Sequence, residues 1–229
     1  MMLSAVMEDY VKTIYQLQGE TDGERVRTSA IAASLDVTPP TVASMISKLE
    51  ERDLVNYEKY NGITLTTDGE RVALEIIRHH RLLEAYLTEH LDFTWSEVHD
   101  EADRLEHHIS EAFEERVVAV LEDPTIDPHG APIPNADLEP PKDSGGSALA
   151  ACKEGMTVTV QEVSDRDHEI LEYLSEYGIN PGVSLVVEEV APFGMITIRP
   201  CNRDAPVSLP EHVATSVRVS SAKASPPSA

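Results

Sequence analysis

The sequence predicts a mainly α-helical chain with added β-structure. It reads as an N-terminal winged helix-turn-helix, a helical dimerisation domain and a C-terminal SH3-like β-barrel. Three observations carry this. Apolar residues recur at three- and four-residue spacing through most of residues 4–121, the period of an amphipathic helix. Two short β-runs flank Asn61-Gly62 directly after a pair of short helices. Beyond residue 154 the pattern shifts to short β-runs separated by turn dipeptides.

Taken in order, Val6, Tyr10, Ile14 and Leu17 give one face of a helix over residues 4–18. Thr28 reads as the N-cap of a short helix ending at residue 35, with Asp36-Val37 as the turn after it. Thr38 then caps a second helix running to about residue 52. Pro39 and Pro40 fall in its first turn, where a missing N–H loses no intrahelical bond. Val42, Met45, Ile46 and Leu49 form its apolar side. Its other side is small, hydroxyl-bearing or basic: Thr41, Ala43, Ser44, Ser47 and Lys48. β-runs over 54–59 and 63–66 make the wing.

Thr67-x-x-Glu70 is a capping box opening a helix over 68–91, and Thr94-x-x-Glu97 opens another. The apolar face of the latter continues through Val98, Ala102, Leu105, Ile109, Phe113, Val117 and Val120 to Leu121. So long a face asks for a second copy, hence a homodimer. Prolines 124, 128, 132, 134, 140 and 141, then Ser144-Gly145-Gly146-Ser147, mark a change to linker composition. β-runs over 156–163, 183–190, 195–199 and 213–219, with a helix over 167–177, complete the barrel. The expected boundaries are 1–73, 74–141, a linker 142–154, 155–221 and a Ser/Pro/Ala tail 222–229.

Charge first argues against a nucleic-acid partner: 18 Lys and Arg stand against 41 Asp and Glu, net −23. The imbalance is uneven. Residues 1–73 carry 7 basic and 12 acidic groups, net −5, whereas residues 74–229 carry 11 and 29, net −18. Such acidity suits a salt-filled cytoplasm, where self-repulsion is screened, so a halophilic source is expected. Two cysteines, Cys152 and Cys201, in no C-x-x-C arrangement point to a reducing compartment. No apolar run approaches 18 residues and no leader pattern opens the chain, so the expected location is cytoplasmic, off the membrane.

His99, Asp103, Glu106 and His107 stand at positions 0, 4, 7 and 8 of one helical stripe. His80 and Glu84 repeat the i,i+4 spacing on the preceding helix. A solvated acidic face is the plain alternative. Against it stands the concentration of four metal-competent side chains on one stripe. Nitrogen and oxygen donors without sulfur suit Mn²⁺, Fe²⁺ or Zn²⁺. No Glu-x-x-His, His-Glu-x-x-His, Gly-x-Ser-x-Gly or P-loop pattern occurs, so no enzyme is expected. Thr38, Pro39, Pro40, Thr41, Ser44 and Lys48, with Thr28 and Ser29 of the shorter helix, present small and hydroxyl groups to base edges and phosphates. Arg25, Arg27, Arg52 and Lys59 flank them.

The chain resembles the diphtheria-toxin-repressor family of metal-dependent transcriptional regulators. The resemblance lies in Glu8-Asp9-Tyr10 with Thr13-Ile14-Tyr15, in residues 38–49, 78–84 and 98–110, and in Pro128-His129-Gly130 with Pro132-Ile133-Pro134. It implies two metal sites per subunit: a primary site on Asp9, Asp103, Glu106 and His107, and an ancillary site on His80, Glu84 and His99. Asp167, with His168 and Glu169 behind it, is the candidate ligand from the third domain. Asp9 and Asp103 stand where iron-type members have Met and Cys, which favours Mn(II), with Fe(II) the alternative. Lys12 stands where manganese-type members have an acid. The resemblance further implies binding to double-stranded DNA at a pseudo-palindromic operator and repression of metal-uptake genes. The alternatives are an iron-responsive regulator, or a metal-binding or storage protein that does not touch DNA.

Overall fold

The computed structural model describes residues 3–20, 24–95, 97–141, 145–165 and 167–221. Its compact units are discontinuous in sequence. The first comprises Met1–His80, Arg104–Glu114 and Pro134–Pro140, the second Arg81–Asp103, Glu115–Ile133 and Pro141–Ala229.

The first unit begins with helices α1 (Ala5–Glu20), α2 (Thr28–Ser34) and α3 (Pro39–Glu50), followed by the antiparallel pair β1 (Val55–Glu58) and β2 (Gly62–Leu65). Tyr10, Val11 and Ile14 of α1, Ile31 of α2, Val42, Ile46 and Leu49 of α3 and Ile63 of β2 form its core. Truncating fully buried Ile14 or Leu49 to Ala would cost about 2–5 kcal/mol. Thr38 caps α3 as expected, its hydroxyl accepting from Thr41 N at 3.4 Å with Pro39 and Pro40 in the first turn. Helix α2 differs: its cap position is Arg27, which gives no side-chain bond, so Thr28 is inside the helix. In the hairpin the positive φ angles fall on Tyr60 (70°) and Gly62 (117°).

Helix α4 (Thr67–Leu91) is capped by Thr66, one residue before the expected box: its hydroxyl accepts from Gly69 N at 3.1 Å and its carbonyl from Glu70 N at 2.8 Å. Gly69 has ordinary helical neighbours yet no room. A Cβ there would lie 2.0 Å from the Leu54 carbonyl oxygen, so only glycine lets α4 start against the residue that leads into β1.

The single helix expected over 94–121 is two. α5 (Val98–Leu105) ends in a turn at 106–108, and α6 (Glu111–Val120) starts after Ser110, whose hydroxyl accepts from Phe113 N at 3.3 Å. The apolar repeat persists across this break because both helices bury one side, at Val98 and Ala102 and then at Val117.

The second unit holds a six-stranded antiparallel SH3-like sheet in the order β3-β8-β4-β5-β6-β7. These strands are β3 (Ser147–Ala148), β4 (Thr157–Val163), β5 (Ser184–Ala191), β6 (Met195–Pro200), β7 (Val207–Pro210) and β8 (Val217–Ser221), with α7 (His168–Glu176) and α8 (Glu211–Thr215). Strand register shifts at Val160/Glu162 and Val187/Glu189 bend the sheet. Its core is aliphatic: Val158, Val160, Leu171, Leu174, Leu185, Val187, Ile198 and Leu209. Two expectations change. The run 213–219 is one turn of α8 followed by β8, and β7 had no sequence signal because it is only four residues long. The stretch read as linker ends inside the sheet: Ser147 pairs with Val219, and Leu149 is fully buried. Residues 142–144 of that linker, and the tail 222–229, lie outside the described residues.

Candidate metal centre

In the first unit the turn after α5 brings Glu106 and His107 to α1. Asp9, Glu106 and His107 offer ligand atoms that all lie within 4.8 Å of one another. The His107 ring is held from both sides, Nε2 at 2.8 Å from Asp9 Oδ1 and Nδ1 at 2.7 Å from Glu8 Oε2. A carboxylate behind a ligating imidazole fixes its tautomer and raises its basicity. Glu106 is almost wholly buried, and Lys12 Nζ bridges its two oxygens at 3.0 and 2.8 Å. Lys12 Nζ also reaches His80 Nδ1 at 3.3 Å, and that same nitrogen lies 2.6 Å from Glu106 Oε2. The main chain of Glu106 is fixed too, its carbonyl 3.1 Å from His79 Nδ1 while His79 Nε2 faces Glu114 at 3.2 Å. Burial raises the Asp9 carboxyl above the usual carboxylate range, partly opposed by the neighbouring His107. These oxygen and nitrogen donors fit a hard or borderline divalent ion. Lys12 now supplies the positive charge on Glu106.

In the second unit Glu84 is fully buried between two imidazoles. Its Oε1 lies 3.2 Å from His99 Nδ1 and its Oε2 3.4 Å from His129 Nδ1. His99 Nδ1 is also 3.7 Å from Asp165, and His99 Nε2 is 3.7 Å from Asp103, whose side chain is 49% exposed. The acid delivered to His99 is thus Asp165. Asp167, expected there, instead caps α7, its Oδ1 accepting from Glu169 N and Ile170 N at 3.0 and 3.2 Å. His168 and Glu169 are exposed on the first turn of that helix.

His129 sits in a preset loop. Asp127 Oδ1 accepts from His129 N and Ala131 N at 2.8 and 2.9 Å. A Cβ on Gly130 would fall 2.0 Å from the Gln161 carbonyl oxygen, so glycine is what lets the loop lie on β4. Burial alone would lower the His129 imidazole, but the Glu84 carboxylate, with Asp127 and Asp165, outweighs it and pushes the group up to about 9. Burial, with the Glu84 charge, holds the Asp127 carboxyl well above its ordinary value.

On α3, Thr38, Pro39, Pro40, Thr41, Ser44 and Lys48 are all exposed, as are Ser29, Arg52 and Lys59, while Thr28 is half-buried. Thr38 and Thr41 hydroxyls lie 2.8 Å apart, Arg52 folds back on the Lys48 carbonyl at 3.0 Å, and Lys59 lies over the Tyr60 ring. Arg25 is paired with Glu58 at 2.5 Å.

Residues 2–63 match the iron dependent repressor N-terminal DNA binding domain, residues 66–135 the iron dependent repressor metal binding and dimerisation domain, and residues 148–221 the FeoA domain. The chain is 33% identical over 227 residues to the iron-dependent repressor IdeR of Mycobacterium leprae (strain TN), covering 93% of this chain and 95% of that protein. This chain belongs to the diphtheria toxin repressor family. Its members are metal-dependent DNA-binding transcriptional regulators, and so is this protein. The diphtheria toxin repressor of Corynebacterium efficiens is 34% identical over 189 residues, 78% of this chain and 80% of that one. Among solved structures, a manganese-dependent transcriptional repressor in complex with manganese superposes with a TM-score of 0.84 at 38% identity, over 94% of this chain and 99% of that one. The manganese regulator SloR gives 0.78 at 32%, over 94% and 98%. Among the described residues no helix is long and apolar enough to cross a membrane.

Spacing found His99, Asp103, Glu106 and His107, and the family resemblance added Asp9. Sequence reasoning missed Glu8, His79, Glu114, Asp127, His129 and Asp165 as neighbours of the donor groups. The only signal for His129 was its place in the Pro-rich junction, and Asp165 carries no periodic signal at all.

Proposed function

We propose that this regulator responds to Mn(II), with Fe(II) the second candidate, at two sites per subunit. Asp9, Glu106 and His107, joined by Asp103, would hold the ion that controls DNA affinity; His80, Glu84 and His99, with Asp165 in place of Asp167, would hold a supporting one. The observation that carries this reading is the Asp9, Glu106 and His107 group: one ligand comes from the first helix of the DNA-binding domain, two from the turn after α5, and none offers sulfur. The divalent ion supplies positive charge among these carboxylates. The chain's own residues aim the donors, with Glu8 orienting His107 and His79 fixing the Glu106 carbonyl. The ion would bias DNA binding by favouring one arrangement of these elements over another.

The remaining parts of the proposal follow from the sequence. The protein acts as a cytoplasmic homodimer and represses metal-uptake genes from a pseudo-palindromic operator; it carries no catalytic role. Exposed Phe113 and Val120 on α6 suit a self-association face. The domains are divided as 1–73, 74–141 and 155–221, with the last drawn back to take in residues 147–152. The halophilic reading rests on the net charge of −23 and on the one basic residue, Lys48, on the exposed side of α3.

The test is titration of DNA selected from a random duplex pool with Mn²⁺, Fe²⁺, Zn²⁺ and no metal. Mn²⁺ should tighten binding most at physiological free-metal levels. Equal binding with and without metal would refute the reading. For the halophilic part, specific binding should persist in molar KCl with a shallow salt slope; a steep negative slope would show ordinary counterion release in control.

A further inference from the structure

We propose that Glu84, Asp127 and His129 form a further divalent-cation site, closed to solvent, that takes a zinc-like ion through Glu84 Oε2, Asp127 Oδ2 and His129 Nδ1. The three side chains are buried and their ligand atoms lie within 4.8 Å of one another. The argument starts from the His129 ring. Its Nε2 lies 3.0 Å from the Trp95 main-chain oxygen, which can only accept, so the proton must be on Nε2. In the neutral ring Nδ1 is therefore a bare lone pair, and it faces a carboxylate oxygen of Glu84. Two lone pairs aimed at each other need a cation between them, either a proton or a metal ion.

The distance discriminates. A charged N–H···O⁻ bond runs about 2.7–2.9 Å. Two donors each about 2.1 Å from a tetrahedral ion stand about 3.4 Å apart. His129 Nδ1 and Glu84 Oε2 are 3.4 Å apart and make no hydrogen bond by distance and angle. Asp127 Oδ2 is likewise buried without a hydrogen bond, while its Oδ1 is committed to two backbone amides. The charge is also incomplete. Arg81 Nε, 3.5 Å from Asp127 Oδ2, is one positive charge beside two carboxylates. The loop is fixed before any ion arrives, by the Asp127 bonds, by the Gly130 approach to β4 and by Trp95 Nε1 donating to the Pro128 carbonyl at 2.8 Å. Glu84 would serve two ions, Oε1 on the His99 side and Oε2 on this one. The inference does not depend on which metal governs DNA binding.

The experiment uses the full chain, stripped of metal with chelator and then titrated with Co²⁺ and Zn²⁺. His129→Gln and Asp127→Asn should each bind one ion fewer per chain than the parent. Both should lose the intense visible absorption of four-coordinate cobalt. His129→Cys should keep the equivalent and add a thiolate-to-cobalt charge-transfer band. Melting curves of the metal-free variants establish that they fold. As a measurement on the unaltered protein, the ¹⁵N resonance of His129 Nδ1 should shift on saturation with Zn²⁺. Unchanged stoichiometry and absorption in folded His129→Gln and Asp127→Asn would overturn the site and leave a proton in the gap, as would an unmoved Nδ1 resonance.

Discussion

The two histidine–carboxylate clusters solve the same electrostatic problem with different cations. Around Glu106 the compensating charge is Lys12, at the end of a flexible four-carbon stem, and the neighbouring Asp9 side chain is 43% exposed. Around Glu84 and Asp127 the charges belong to His129 and Arg81, short or well-tied groups in a wholly buried setting. A centre that reports free metal must exchange its ion with solvent, and a competitor that can swing away permits this. A closed centre exchanges slowly and serves structure. The difference therefore assigns response to the first cluster and rigidity to the second.

The largest expected effect tests the responsive side. Glu106→Gln keeps the shape of the turn but removes the buried carboxylate, and should abolish a metal-stimulated gain in DNA affinity of roughly 5–150-fold. Gel-shift titration at fixed free Mn²⁺ measures this; a preserved response would move the trigger to the other cluster.

Lys12→Met sharpens the contrast from the opposite direction. With the resident ammonium gone, metal affinity of the first cluster should rise about tenfold, equivalent to about 1.4 kcal/mol. The metal-free protein should melt lower, because Glu106 loses the partner at 2.8 Å. Isothermal titration and melting curves separate the two effects. Weaker metal binding in Lys12→Met would mean that the lysine assists the ion.

Asp103→Ala should weaken metal activation by less than Glu106→Gln, since the Asp103 side chain is half-exposed and pairs with His99 at 3.7 Å. Equal losses would restore Asp103 to the centre of the responsive cluster. The smallest effect separates two neighbouring acids. Asp165→Ala should alter metal binding, whereas Asp167→Ala should leave it intact and cost about 1 kcal/mol of stability through the lost cap. Metal stoichiometry paired with denaturant midpoints distinguishes them.

How much of this was legible in the sequence depended on whether a signal was periodic. The Thr38-Pro39-Pro40 start of α3 and the hairpin after it have local causes, capping and turn chemistry, and the structure has them in place. The stripe at 99, 103, 106 and 107 was read as one helix face, but α5 stops at Leu105. Glu106 and His107 reach α1 from a turn, and a helical wheel has no means of describing that geometry. Asp165 and His129 are placed by loops whose paths are set by tertiary contacts, such as the approach of Gly130 to β4. Asp167 was preferred to Asp165 on alignment alone; its local role as a cap competes directly with ligation, because the cap consumes Oδ1.

Gly69 has a mechanical consequence. Glycine in the first turn of a long helix is ordinarily read as slack, a point where an element can bend. Here the missing side chain permits α4 to rest on the carbonyl of Leu54, and any larger residue would wedge the two apart. The position works as a weld. A small rotation at the start of α4 would pass undamped into β1 and carry the wing with it, so a part of the protein that touches no metal can still move in step with the helix that bears His80.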